Sequence, residues 1–143
     1  MYRWLLDTNI IISGLFWSGN ESQLLKLAVA EKYEAVVCEF VLRETERIIN
    51  EKFFKMQEKV QPVLNMLIES AENYPLLEEN EIIKFKDEYG KIINNKGDLV
   101  ILATALKAEV DAILTGDKHF DNLEVRKLIE VIDANQALGR INS

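Results

Sequence analysis

The chain has 143 residues, 48% of them hydrophobic, with 24 acidic and 17 basic side chains and a formal net charge of −7. This size and apolar content suit one domain over residues 1–143. The acidic balance argues against a protein that holds DNA through a broad basic surface, and it leaves room for a basic partner. A single cysteine, Cys38, excludes an internal disulfide framework and predicts a cytoplasmic protein. No apolar run reaches the length of a membrane span, so we expect no membrane association.

Short apolar runs alternate with helical patterns along the chain. The sequence predicts strands at residues 3–7, 35–38, 74–77, 112–115 and 129–132, of which the third is poor. It predicts helices at 8–16, 22–32, 39–52, 56–73 with a kink or break at Pro62, 78–97, 98–110 and 120–128, and a last one from Asp133 or Ala134. This alternation predicts an α/β sandwich with a mostly parallel sheet. Such sheets bind ligands beyond the carboxyl ends of their strands.

Four carboxylates lie where a globular chain prefers apolar or small residues. Asp7 and Asp117 each follow an apolar run, Asp98 opens a nearly all-apolar helix, and Glu44 interrupts the apolar face of another. A carboxylate taken out of water costs several kcal/mol unless it is paired, and the chain offers few buried cations. A divalent metal ion is the natural counter-charge. The pattern is therefore typical of a metal-dependent nuclease.

Glu44 gives the sharpest geometric argument. At about 100° per residue, Phe40 and Ile48 lie on one continuous apolar arc of the helix, and Glu44 falls between them. The alternative places Glu44 at the edge of that arc, paired with Arg47 or with a distant lysine. Neither a turn nor a helix cap explains a carboxylate at this position.

The other three carboxylates each have a structural explanation. Asp98 suits the N-cap of its helix, Asp7 suits the cap of the helix after the first strand, and Asp117 suits a turn. The joint case for a site is stronger than any single one, because these explanations leave Glu44 unaccounted for. His119 is the only histidine, and without a partner in the sequence we assign it no catalytic role.

Four segments, in order, resemble the motifs of PIN-domain nucleases. They are residues 5–13 (LLDTNIIIS), 41–44 (VLRE), 97–105 (GDLVILATA) and 112–120 (AILTGDKHF), so the resemblance covers nearly the whole chain. It implies an α/β/α sandwich around a twisted, mostly parallel sheet of four or five strands. It implies Mg²⁺- or Mn²⁺-dependent hydrolysis of phosphodiester bonds, usually in RNA. Many small members are toxins of toxin–antitoxin pairs, so the resemblance also implies an antitoxin partner and a homodimer.

The resemblance also implies which residues form the site. Asn9 matches a residue that orients the first aspartate, and Thr115 matches a hydroxyl position near the site. The family's acidic quartet falls on Asp7, Glu44, Asp98 and Asp117. Oxygen ligands of this kind suit Mg²⁺ or Mn²⁺, and we predict an endoribonuclease in which Asp7 and Asp98 anchor the metal. Asp117 and Glu44 would complete the site, and the absence of Cys and His clusters argues against zinc.

Three other functions compete with this one. A phosphatase of the haloacid-dehalogenase type needs a second acid two residues after the first, where this chain has Asn9. A receiver domain needs an acidic pair beside the first strand, which the sequence lacks. The remaining alternative is a PIN-like binding or scaffold module with little or no nuclease activity. The intact quartet argues against it, because a scaffold has no need of four acids that repel one another.

Overall fold

A five-stranded, all-parallel sheet lies at the centre of the computed structural model, which describes all residues from 1 to 143. The order across the sheet is β3-β2-β1-β4-β5. The strands are β1 (Arg3–Leu6), β2 (Glu34–Cys38), β3 (Glu72–Tyr74), β4 (Ala112–Leu114) and β5 (Glu130–Ile132). The predicted α/β/α sandwich is therefore confirmed, and the sheet has five strands.

Eight α-helices flank this sheet. They are α1 (Thr8–Phe16), α2 (Asn20–Val29), α3 (Glu39–Lys52), α4 (Gln57–Ser70), α5 (Glu79–Tyr89), α6 (Lys96–Lys107), α7 (Leu123–Leu128) and α8 (Ala134–Asn142). Helices α1, α2 and α4 pack on one another and α8 packs on α2, whereas α5 packs on α6. None of the helices has the length and apolar character that crossing a membrane would require.

The core explains why these segments form strands and helices. Trp4, Leu5 and Leu6 of β1 are fully buried, as expected for a central strand of a parallel sheet covered on both faces. They belong to one continuous core of 37 buried residues. The contact of α1 with α2 depends on Gly14, where an added Cβ would lie 2.5 Å from the Leu25 side chain.

The third strand differs from its prediction at 74–77. β3 begins at Glu72 and ends at Tyr74, where it pairs with Cys38 of β2. Pro75 follows, and a proline has no N–H to continue the ladder. The residues of β3 are exposed or half-buried at the edge of the sheet, so they do not form the apolar run by which a strand is recognised in a sequence. The preceding helix consequently ends at Ser70.

Helix boundaries also shift elsewhere. Pro62 lies inside a continuous α4, and the break occurs earlier, at a 3₁₀ turn over Phe54–Met56. The segment predicted as one surface helix at 78–97 forms α5 only as far as Tyr89. The helix predicted to open at Asp98 begins at Lys96.

The sheet topology marks one crevice. β1 pairs with β2 on one side and with β4 on the other, so the strand order reverses between β1 and β4. Ligand sites of open α/β sheets lie outside the carboxyl ends of the strands at such a point. Asp7 directly follows β1, and Thr115 and Asp117 follow β4.

Candidate active site

Asp7 is held rigidly at the carboxyl end of β1, with 4% of its surface exposed. Its backbone N–H donates to the Leu114 carbonyl at 3.1 Å and so extends the β1–β4 ladder. Its carboxylate oxygens accept from the Thr8 N–H at 2.7 Å and from the Thr115 hydroxyl at 2.6 Å. Burial still raises the pKa of Asp7 to about 6, and the charges of Asp117 and Asp98 add to the rise. Asp7 therefore caps α1, as one alternative predicted, and also faces two other acids.

Thr115 links Asp7 to Asp117. The buried hydroxyl donates to Asp7 and accepts the Asp117 backbone N–H at 2.9 Å. Asp117 in turn accepts the His119 backbone N–H at 2.9 Å, which caps the 3₁₀ turn over Lys118–Phe120. The expected position of the Thr115 hydroxyl near the site is therefore seen, and the turn role of Asp117 does not remove it from the site.

Asp98 is buried in the first turn of α6 but does not cap that helix. The N-cap is Asn95, whose side chain accepts the Asp98 backbone N–H at 3.0 Å, so the cap explanation of Asp98 is wrong. The Asp98 carboxylate instead lies 2.9 Å from Nδ1 of His119. Burial raises the pKa of Asp98, the His119 hydrogen bond opposes the rise, and the charges of Asp117 and Glu44 add to it.

Glu44 reaches the site from α3. It is half-buried at the edge of the helix's buried face, whose centre is occupied by the fully buried Thr45, rather than inside the apolar arc. Its partner is the Thr8 hydroxyl, which donates to Oε1 at 2.6 Å. Arg47, the predicted partner of the alternative, pairs with Glu51 at 3.0 Å. The four predicted carboxylates thus converge at one end of the sheet.

Two residues of this cluster were missed by the sequence analysis. His119, to which no role was assigned, lies 2.9 Å from the Asp98 carboxylate and 3.4 Å from that of Asp117. The hydrogen bond to Asp98 and the charge of Asp117 raise the pKa of His119. Thr8 supplies both a backbone N–H to Asp7 and a hydroxyl to Glu44. The available signal was position, because each stands next to, or two residues from, a predicted acid.

Asn9 makes no hydrogen bond to Asp7 in this structure, so the orienting role that the resemblance implies for it stays a prediction. Its side chain is exposed, and the hydrogen bonds to Asp7 come from Thr8 and Thr115. Those two residues are already buried against Asp7. In this structure the carboxylate of Asp7 is therefore held by the first residue of α1 and by the residue that follows β4.

The donor set at this site fits a divalent metal ion. Oxygens of Asp98 and Asp117 and a ring nitrogen of His119 lie within 4.8 Å of one another. No lysine or arginine forms a salt bridge with any of the four carboxylates. Hydrogen bonds occupy only part of each carboxylate, which has about four lone-pair positions. A cation binding here would offset the repulsion between the acids.

A cavity of about 460 Å³ opens beside this cluster. It is lined by the apolar side chains of Ile92 and Ile93, the amides of Asn94 and Asn95, and His119. His119 contacts both the cavity and the acids, so anything seated in the cavity lies next to the cluster. A larger groove between α5 and α6 lies apart from these acids.

A family comparison decides the identity of this arrangement. A profile described as PIN domain matches residues 3–119, most of the chain. The chain belongs to the PIN-domain family of nucleases. The match contains all four carboxylates, Thr115 and His119, so the cluster belongs to the PIN domain itself. The chain has no significant match among curated protein sequences.

Solved structures show the same fold at low sequence identity. VapBC2 from Rickettsia felis, bound to a promoter DNA fragment, has a chain with a TM-score of 0.67 and 16% identity, covering 92% of this chain and 98% of that one. The protein PAE2754 from Pyrobaculum aerophilum has a TM-score of 0.70 and 12% identity, and the match covers 99% of this chain and 96% of that one. FitAcB from Neisseria gonorrhoeae has a chain with a TM-score of 0.60 and 19% identity, covering 92% of this chain and 97% of that one. A toxin–antitoxin complex from Klebsiella pneumoniae has a chain with a TM-score of 0.63 and 17% identity, covering 91% of this chain and 96% of that one. This PIN domain is thus similar in fold to all of these chains along nearly its full length.

Proposed function

We propose that this PIN-domain protein is a Mg²⁺- or Mn²⁺-dependent endoribonuclease and the toxin of a toxin–antitoxin pair, acting in the cytoplasm. One observation carries the proposal. Asp7, Glu44, Asp98 and Asp117 converge at the carboxyl end of the sheet without a lysine or arginine partner, although burial raises the pKa of Asp7 and Asp98. A stable fold gains nothing from such a cluster, whereas a metal-dependent hydrolase needs one.

Each acid has a distinct part in the proposed site. Oxygens of Asp98 and Asp117 lie within 4.8 Å of each other and of a ring nitrogen of His119, so these residues are the ones that could share an ion. Asp7 lies deeper, where two hydrogen bonds fix its carboxylate. It stands outside the group formed by Asp98, Asp117 and His119, and its charge is felt there because Asp98 and Asp117 both raise its pKa. Glu44 closes the site from α3, held by the Thr8 hydroxyl.

The chemistry follows from this arrangement. A bound divalent ion would activate water and neutralise charge on the phosphodiester in its transition state. The protein's contribution is to place the oxygen ligands before the ion arrives, which avoids reorganisation during the reaction. The Thr8 and Thr115 hydroxyls do this by holding Glu44 and Asp7 at 2.6 Å.

The cavity next to His119 supports a nucleic-acid substrate. Its volume of about 460 Å³ suits part of a nucleotide, and its lining combines apolar side chains with amide groups. Unstacked bases of single-stranded RNA stack on aromatic rings, of which His119 is one, and form hydrogen bonds through their edges, for which the two asparagines offer partners. We therefore propose single-stranded RNA as the substrate, cleaved within the chain.

An exposed aromatic surface supports a protein partner. Phe16 and Phe53 stack with ring centroids 4.1 Å apart, and Trp17 and Phe54 beside them are largely exposed. Exposed apolar groups of this kind mark interaction surfaces in soluble proteins. The similar fold of a chain in the toxin–antitoxin complex from Klebsiella pneumoniae supports an antitoxin as the partner, and we expect a homodimer as well.

The test combines activity with metal binding. Purified protein is incubated with labelled RNA and with Mg²⁺ or Mn²⁺, beside Asp7→Asn and Asp98→Asn and beside the Glu58→Gln control on the exposed face of α4. We expect cleavage only with metal and only in the wild type and the control. Equal activity in all proteins would indicate a contaminating nuclease. No cleavage of any RNA or DNA, together with no metal-dependent rise in melting temperature, would instead favour a scaffold module.

A further inference from the structure

His119 occupies an unusual position for a surface histidine. Its side chain is 64% exposed, yet its Nδ1 faces inward, 2.9 Å from the Asp98 carboxylate and 3.4 Å from the Asp117 carboxylate. Those two acids come from α6 and from the loop after β4. A histidine free to move into solvent would have no reason to contact both.

The backbone of the 3₁₀ turn fixes this position. The His119 N–H donates to Asp117 at 2.9 Å, and the His119 carbonyl accepts from Asn122 at 3.3 Å. The next residue, Phe120, is fully buried and anchors the turn in the core. The imidazole is thus attached to a rigid segment on both sides. Side chains that hold a ligand in a defined geometry are supported in this way.

The distances match those between ligands of one metal ion. In an octahedral site with bonds of about 2.1 Å, neighbouring ligand atoms are about 3.0 Å apart. The separations of 2.9 Å and 3.4 Å between Nδ1 and the two carboxylate oxygens are close to this value. The ligand atoms of all three residues lie within 4.8 Å of one another, so one ion between them can be reached by each.

We propose that His119 is a nitrogen ligand of the metal, through Nδ1, and that it makes this site prefer Mn²⁺ over Mg²⁺. The inference rests on the proposed function, because it concerns the same metal site. Mg²⁺ selects oxygen ligands and keeps its waters, whereas an imidazole strengthens the binding of first-row transition ions. Four carboxylates alone would leave the two ions poorly distinguished. One nitrogen among them gives the transition ion the advantage.

The experiment uses Mn²⁺ as a spectroscopic probe. Pulsed EPR of Mn²⁺ added to the full-length protein detects coupling to a nitrogen nucleus within bonding distance of the ion. We expect this coupling in the wild type. His119→Leu removes the donor, and it should lose the coupling and bind Mn²⁺ about 10-fold more weakly or worse. Mg²⁺ affinity, measured by displacement of Mn²⁺, should change much less.

Two further variants sharpen the result. His119→Asp puts an oxygen at the same number of bonds from Cβ as Nδ1, so it should abolish the nitrogen coupling and shift the preference toward Mg²⁺. Asp121→Asn removes a nearby exposed carboxylate that pairs with Arg126 instead of the cluster. It should leave the coupling and both affinities unchanged. Circular dichroism of all variants confirms that they are folded.

The outcomes separate this inference from the proposed function. Mn²⁺ bound without nitrogen coupling in the wild type overturns the role of His119 and leaves the carboxylate site intact. Coupling that survives in His119→Leu overturns it as well, since the chain has no other histidine. Failure of the wild type to bind either ion overturns the metal-dependent function together with this inference.

Discussion

Carboxylates gather at both ends of the sheet, and the two ends neutralise them differently. At the amino end, Arg3 contacts Glu34 and Glu72, and its backbone N–H donates to Asp111 at 2.8 Å. Arg140 binds both oxygens of Glu130, at 2.5 Å and 2.7 Å. At the carboxyl end, the acids Asp7, Glu44, Asp98 and Asp117 have no lysine or arginine partner, and the basic side chain that lies against them is His119.

The pKa directions record this contrast. At the amino end, the hydrogen bonds and charges of Arg3 and Arg140 lower the pKa of Glu72 and Glu130, so ionisation there favours the folded state. At the carboxyl end, burial raises the pKa of Asp7 and Asp98, so ionisation there opposes folding. Arg3 and Arg140 neutralise acids at the amino end of the sheet, and neither of them forms a salt bridge with the four carboxylates at the other end. The carboxyl end is thus built for a cation that binds from outside.

The largest expected effect compares one acid from each end. Asp98→Asn should lower metal-dependent RNA cleavage by at least about 100-fold, because it removes a charged ligand from the cluster. Glu34→Gln, at the amino end, should leave the cleavage rate close to that of the wild type. The measurement is the initial rate on a fluorescent RNA at saturating Mn²⁺. Similar losses in both variants would show that the two ends are not functionally distinct.

The second prediction concerns stability without metal. Asp7→Asn should raise the free energy of unfolding at pH 7.5, by up to about 3 kcal/mol, because about two pKa units of unfavourable ionisation are removed. Urea denaturation of both proteins in the presence of a metal chelator measures the difference in the free energy of unfolding. Asp111→Asn at the amino end is the matched control, and it should lower stability slightly by weakening its hydrogen bond to the Arg3 N–H.

The pH dependence of that gain has a definite sign. Because the pKa of Asp7 is raised from 3.8 to about 6 in the folded state, the wild type is relatively stable below pH 4 and loses that advantage as pH rises through 6. Asp7→Asn lacks this titration. The stability difference between the two proteins should therefore be small below pH 4 and reach its full value above pH 6. A difference independent of pH would assign the effect to packing instead of charge.

The third prediction separates the support of the site from its ligands. Thr115→Val keeps the shape but removes the hydroxyl that donates to Asp7 and accepts from Asp117. Mn²⁺ affinity, measured by titration, should fall about 10-fold. Thr104→Val is the control, since that buried hydroxyl donates only to the Val100 carbonyl within α6. Unchanged affinity in Thr115→Val would mean that Asp7 needs no hydrogen bond from the residue that follows β4.

The sequence predicted the parts of the fold that depend on local pattern. The strand β1 and the helix α6 are buried on nearly all sides, so their sequences are almost entirely apolar. An apolar run of this kind can be recognised from the sequence alone. β3 was misplaced because its exposed edge residues carry no apolar signal, and only its pairing with β2 defines it. The N-cap of α6 was assigned to Asp98, but the side chain of Asn95, three residues earlier, accepts the Asp98 N–H and caps the helix. Both residues are good N-caps, so the sequence alone does not decide between them.

The sequence predicted which acids form the site, but it did not predict the contacts that hold them in place. Asp7 and Asp117 follow neighbouring strands, so their proximity follows from the parallel sheet. The contact of His119 with Asp98 joins residues 21 positions apart and depends on how α6 packs against the turn after β4. Likewise, the Thr8 hydroxyl reaches Glu44 across 36 positions. Tertiary contacts of this kind leave no periodic trace in the sequence.

The smallest expected effect lies at the amino end. Arg3→Met removes the ion pairs with Glu34 and Glu72 and the hydrogen bond to the Ala108 carbonyl at 3.0 Å. These groups are partly exposed, so unfolding should become easier by only about 1–2 kcal/mol. Lys127→Met, which breaks one exposed pair with Glu124, is the control and should have almost no effect.

Cleavage by the folded Arg3→Met protein should match the wild type, because none of the contacts of Arg3 reaches the acids at the other end of the sheet. Urea denaturation and the RNA assay on the same preparation give both numbers. A loss of activity that exceeds the unfolded fraction would show that the charge of Arg3 acts through the length of β1. In that case the charges at the two ends of the sheet would be coupled, and the ion pairs of Arg3 would contribute to the activity of the site as well as to stability.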